Sequence, residues 1–253
     1  MEKQIERYFT IDSGKNKIQA KIYCEDGKGI EKLVIFGHGF GGHRDNRAAE
    51  KFAGVMLEKC EKNALITFDW PGHGDDKEPL TLDGCSSYLK SVLAYAKTEL
   101  NAKDICAYAT SFGGYLFLKY IIENDNPFRR IALRCPAVNM YDVLARKIMS
   151  ESELTDVLGG NDILVGFDRK IEVNRCFLES VKASDIRKSD YSNFADRILI
   201  IQGTEDELVS FQAVKEFAEA NSLDFIPVPG ADHRFMDPSK MDAANETILD
   251  YFV

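Results

Sequence analysis

Ile105-Cys106-Ala107-Tyr108-Ala109-Thr110-Ser111-Phe112-Gly113-Gly114-Tyr115-Leu116-Phe117-Leu118 is the stretch on which the fold turns. Ile105–Tyr108 is a short apolar run with the composition of a buried strand, and Phe112–Glu123 reads as a helix that is apolar nearly all round, so it must be covered on most sides. Ser111 stands on the sharp joint between the two. A serine there projects its hydroxyl from the top of a sheet at a helix N-terminus, the geometry of an activated nucleophile, and the strained turn requires small residues two before and two after it. Those positions hold Ala109 and Gly113, so the pattern G-x-S-x-G is met with one substitution. The competing reading is a serine that merely caps the helix.

Outward from that joint, short apolar runs alternate with longer helical patterns. Upstream, Phe9–Ile11 and Ile18–Tyr23 read as an antiparallel pair, Lys32–Phe36 as a buried strand, residues 47–60 as a helix, Ala64–Phe68 as a strand and residues 82–100 as a helix. Downstream come strands at 130–133, 198–201 and 224–228, and helices at 211–220 and 239–251. Repeated strand–helix units predict a mainly parallel sheet with an antiparallel N-terminal strand pair and helices on both faces. Residues 136–194 show helical patterns and no convincing strand. They read as a short helical cap inserted after the sixth strand, with residues 1–135 and 195–253 forming the core.

Three further motifs follow predicted strands. His38-Gly39-Phe40-Gly41-Gly42 brings a glycine-rich backbone close to one place, and a tetrahedral oxyanion needs two N–H donors there. Phe40 and Phe112, the residue after the serine, are the candidates. Gly37, Gly39 and Gly42 also fit the dinucleotide fingerprint, with Asp69 as its acid, but that leaves the serine joint without a purpose. Gly203-Thr204-Glu205-Asp206-Glu207-Leu208-Val209 crowds three acids, and its G-x-x-D-x-x-V spacing singles out Asp206 as the group that orients a histidine. In Gly230-Ala231-Asp232-His233, His233 is the candidate general base. Of the other histidines, His38 and His73 lie in glycine-rich loops and read as structural, and His43 could line an entrance. Ser111, Asp206 and His233 each fall just past the C-terminal end of a different strand, where open α/β sheets bind ligands.

The 253 residues carry 41 acidic and 32 basic side chains, a net charge of -9 that disfavours nucleic acid as a partner. The opening Met1–Glu6 has no basic segment followed by an apolar one, and no stretch is apolar over the roughly 18 residues of a bilayer span. Six scattered cysteines, with no C-x-x-C pair and no metal-like spacing, read as buried free thiols of a cytoplasmic protein. The expected partner is a small molecule, and the expected state is monomer or homodimer.

With Asp69-Trp70-Pro71-Gly72-His73-Gly74 added, the chain resembles the α/β-hydrolase superfamily from about Ile18 onward. It is most similar to compact bacterial esterases with a short helical cap, feruloyl and cinnamoyl esterases and monoacylglycerol-lipase-like enzymes among them. The resemblance implies no cofactor, no metal, and hydrolysis through an acyl-enzyme on Ser111. Ala109 is the one departure from the pattern. His43, Met140, Tyr141 and Leu144 are candidates for contact with short acyl or aryl esters, although cap residues such as Val143, Ile148, Leu154, Leu164 and Phe167 are mostly packing by composition. The alternatives are a serine aminopeptidase or amidase, with Glu151, Glu153 or Asp156 holding an amine, and a catalytically silent binding protein.

Overall fold

The computed structural model describes residues 4–14, 16–27 and 29–253. Met1–Lys3, part of the opening read above for a leader, lie outside the described residues. Strand β3 (Lys32–Gly37) shows how the core is built. Leu33 and Ile35 enter one buried cluster, Val34 and Phe36 the other. A strand covered on both faces has no polar side to show, which is why its sequence is an unbroken apolar run. The same holds for β4 (Asn63–Phe68), β5 (Asp104–Thr110), β6 (Ile131–Arg134) and β9 (Ile198–Gly203).

Eight strands form the main sheet in the order β1-β2-β4-β3-β5-β6-β9-β10, with β1 (Gln4–Asp12), β2 (Lys17–Glu25) and β10 (Asp224–Val228) completing it. β1 pairs antiparallel with β2, and β2 antiparallel with β4; every other pairing is parallel. Helices α1 (Arg47–Lys59) and α8 (Pro238–Phe252) press Phe52, Met56, Ile248 and Phe252 onto the Val34–Phe36 face. α2 (Leu82–Thr98), α3 (Phe112–Glu123) and α7 (Phe211–Ala220) cover the other. Nine of the twelve residues of α3 are buried, from Phe112 through Ile121, as an all-apolar helix demands. The chain runs from β3 outward to β4, then returns to place β5 on the other side of β3. That reversal makes β3 and β5 the switch point of the sheet, and open sheets take their ligands beyond the C-terminal strand ends at such a point.

Between β6 and β9 lie α4 (Met140–Val143), a π turn (Leu144–Ile148), α5 (Glu151–Leu158), and α6 (Arg175–Ala183). They also include something the sequence reading lacks. Ile163–Val165 (β7) and Ile171–Val173 (β8) pair as an antiparallel ribbon. At three residues each, the strands are too short for a period of two to declare itself. Met140, Val143, Leu144 and Met149 are buried, whereas Leu158, Leu164 and Phe167 are exposed. All six cysteines are free; Cys85, Cys106 and Cys135 are buried, but Cys60 and Cys176 are exposed, on the helix ends of α1 and α6. Among the described residues, no helix is long and apolar enough to cross a membrane.

Candidate active site

Ser111 has φ 52 and ψ -118, a region that non-glycine residues enter only under constraint, at roughly 1–3 kcal/mol. The constraint is visible. Ser111 N–H donates to the Arg134 carbonyl on β6, and its own carbonyl accepts from Tyr115 and Ala137. Its hydroxyl makes no capping bond to α3, which removes the helix-cap reading. A Cβ on Gly113 would stand 2.3 Å from the Gly37 carbonyl oxygen, so the second small position is obligatory. The first is less strict for a local reason. Ala109 lies opposite Gly37 in the β3–β5 register, and Gly37 has no side chain to meet its methyl group.

The loop after β3 approaches the serine closely: a Cβ on Gly39 would lie 3.2 Å from that of Ser111. Gly39 to Gly42 form a turn closed by Gly42 N–H to the Gly39 carbonyl, 2.9 Å, with Gly41 at φ 74 in its third position. The turn is held from below, where Trp70 Nε1 donates to the His38 carbonyl at 3.1 Å. The Phe40 and Phe112 rings meet edge-to-face, 5.9 Å apart, and the His73 ring packs on both. Phe112 is the first residue of α3, so its N–H has no partner within the helix. Asp69, the acid a nucleotide site would need, is fully buried and taken by Arg44 and by the Asp75 N–H. The dinucleotide reading falls with it.

Across the sheet edge, His233 Nδ1 bonds both oxygens of Asp206, at 2.9 and 2.8 Å. The Asp206 side chain is fully buried and that of His233 nearly so. Asp206 also accepts from the N–H groups of Leu208 and Val209 and from Gln202 Nε2. Burial pushes its carboxyl up, but the histidine and these donors outweigh that and hold it below the usual carboxylate range. Nδ1 therefore carries the proton and Nε2 is left free to accept one. Among the described residues, no hydrogen bond joins Ser111 to His233.

The remaining candidates separate. His43 lies on the loop after β3 and accepts from Asp45 N–H through Nδ1, 3.2 Å. Met140 and Tyr141 line a cavity of about 250 Å³ that includes Tyr115 and Lys182 but none of Ser111, Asp206 and His233. Leu144 is fully buried in the core and presents no surface to a ligand; it packs where it was expected to line a pocket. What does lie over the Gly39–Gly42 turn is the β7–β8 ribbon. The Arg169 carbonyl would be 3.2 Å from a Cβ on Gly41, and Gly166 faces the Phe40 ring. On its other side, Asp168 and Phe167 meet Arg234, the neighbour of His233. Gln202 and the ribbon had no periodic or spacing signal, although a polar residue ending the apolar run of β9 was a hint.

The model of a family described as the alpha/beta hydrolase fold matches residues 32–162, just over half of the chain. The chain belongs to the α/β-hydrolase fold family. Solved structures of this α/β hydrolase's fold extend across nearly all of it. Est1E from Butyrivibrio proteoclasticus, determined with ferulic acid bound, is 22% identical over 96% of this chain and 98% of its own, with a TM-score of 0.73. A protein from Agrobacterium vitis is 17% identical over 99% of this chain and 100% of its own, with a TM-score of 0.74. A cold-adapted esterase from an Arctic intertidal metagenomic library is 15% identical over 97% and 93%, at 0.61. No curated protein sequence matches the chain.

Proposed function

We propose that this α/β hydrolase cleaves carboxylic esters, short acyl or aryl ones, through an acyl-enzyme on Ser111. The observation that carries the reading is the buried Asp206–His233 pair on the same sheet edge as a serine whose hydroxyl is not spent on capping. In the first half-reaction His233 Nε2 takes the Ser111 proton while Oγ attacks the carbonyl carbon. The Phe40 and Phe112 N–H groups receive the oxyanion, and Nε2 returns the proton to the departing alcohol. Water then repeats the sequence on the acyl-enzyme. Asp206 stays ionised and stabilises the imidazolium. The elements between β6 and β9, residues 136–194, act as the cap over this edge. The esterase names of the structural neighbours support an ester over an amide.

A fluorophosphonate probe followed by a p-nitrophenyl ester panel tests the reading. Wild type is labelled at Ser111 and turns over acetate or butyrate; Ser111→Ala and His233→Ala are not labelled. Turnover equal to that of Ser111→Ala across the panel overturns the esterase. Labelling without ester turnover, joined to cleavage of aminoacyl arylamides, moves the reading to an amidase.

A further inference from the structure

Cys135 is the residue after β6, and acyl transfer gives it nothing to do. Its backbone is left-handed, φ 50, and its N–H donates to the Ile201 carbonyl at 2.9 Å, tying it to the strand that leads to Asp206. Its side chain is buried, beyond reach of a substrate. Its Sγ, an Asp206 carboxylate oxygen and a ring nitrogen of His233 all lie within 4.8 Å of one another. Among the described residues, five without glycine's freedom take positive φ, and three of them, Ser111, Cys135 and Phe235, belong to this edge of the sheet.

We propose that Cys135 is a positioning residue whose thiol faces the buried side of Asp206 and sets how strongly that carboxylate acts on His233. This rests on the triad reading above. Burial and the neighbouring carboxylate keep the thiol protonated, so what it presents to Asp206, within 4.8 Å, is a weak S–H dipole and a polarisable filler. Each donor to a carboxylate draws charge away from the oxygen that faces the histidine. Removing one leaves Asp206 a stronger partner for the imidazolium. The set of three donors also resembles a site for a soft cation. Both Asp206 oxygens, however, already accept from amide donors and from Nδ1 at hydrogen-bond distance, which favours the thiol role.

The other charged groups around His233 are Glu207, which accepts from its backbone N–H, and Arg234 paired with Asp168. Beside Cys135, the Arg134 guanidinium lies over the Phe235 ring. None of these residues is substituted in the variants, and Cys135→Ser keeps the size of the side chain, so the Ala–Ser difference reads the donor. Wild type, Cys135→Ala and Cys135→Ser are compared in the pH profile of kcat/KM on p-nitrophenyl acetate and in the NMR titration of the His233 ring. Cys135→Ala is expected to raise the acid limb and the ring titration by about 0.3–1 pH unit, at most the size of one neutral hydrogen bond, and to leave KM and the plateau kcat within about twofold of wild type. Cys135→Ser restores a donor and returns both toward wild type. Identical titrations in all three proteins overturn the proposal, as does an equal shift in Ala and Ser. The ring titration needs no turnover, so an unlabelled, inactive wild type would sink the esterase reading while the Cys135 inference is still read out.

Discussion

At the residue scale, the departure at Ala109 is explained by the position across from it. Gly37 leaves space where a side chain would stand, since a Cβ there would lie 3.3 Å from the Ala109 methyl carbon and 2.6 Å from the Phe117 ring. The tolerance therefore belongs to the pair. Ala109→Gly should leave esterase kcat within about twofold, at a loss of no more than roughly 1 kcal/mol in a strand interior. Gly37→Ala should be destabilising by about 1–3 kcal/mol through overpacking against Phe117. Urea unfolding of the two variants and the double variant measures this, and an unaffected Gly37→Ala would contradict it. At Asp206, replacement by Asn keeps the shape but turns Nδ1 into an acceptor. On the triad reading kcat falls on the order of 10⁴-fold, with Ser111 still present and the protein folded; a loss under tenfold would leave Asp206 without its proposed role.

At the scale of elements, legibility followed length and burial. The bounds of α3, α7 and β10 were readable residue by residue, because each is a sustained pattern between clear breaks. The loops after β3, β5, β9 and β10 were readable because chemistry-bearing residues follow apolar runs. The ribbon was not, since what fixes it is tertiary: Gly41 and Gly166 make room for the hairpin to sit on the Gly39–Gly42 turn. Gly41 is at φ 74 and Gly166 at φ 125, so neither accepts a side chain without strain. Gly41→Ala combines an αL penalty of about 1–2 kcal/mol with a contact against the Arg169 carbonyl. It should lower kcat at least tenfold, through a displaced Phe40 N–H, while Tm falls only about 2–8 °C. A variant that loses Tm but keeps kcat would show that the turn does not hold the oxyanion donor.

At the scale of the whole molecule, His38 and His73 decide how the fold meets acid. Both are fully buried, their rings 5.4 Å apart, and each Nδ1 is engaged by a backbone carbonyl, of Gly39 and of Pro71. A carbonyl only accepts, so both Nδ1 atoms carry protons, and the two buried Nε2 atoms find no hydrogen-bond partner among the described residues. Burial lowers their folded pKa values to about 4 and about 3. The unfolded chain takes up both protons near pH 6.5, and the folded one does not until the pH is far lower. Stability is therefore full above pH 6.5 and is lost as pH falls from there toward 4, at about 1.4 kcal/mol per pH unit for each imidazole. Between pH 7 and pH 5 the pair withdraws about 4 kcal/mol, a large share of the 5–15 kcal/mol that holds an ordinary domain. His73→Phe keeps an aromatic ring against Phe40 and Phe112 and removes one titrating group. Its loss over the same interval should shrink by about 2 kcal/mol, whatever its stability at pH 7. Urea unfolding at pH 7 and pH 5 reads the difference directly, and parallel losses in wild type and variant would place the acid sensitivity in other groups.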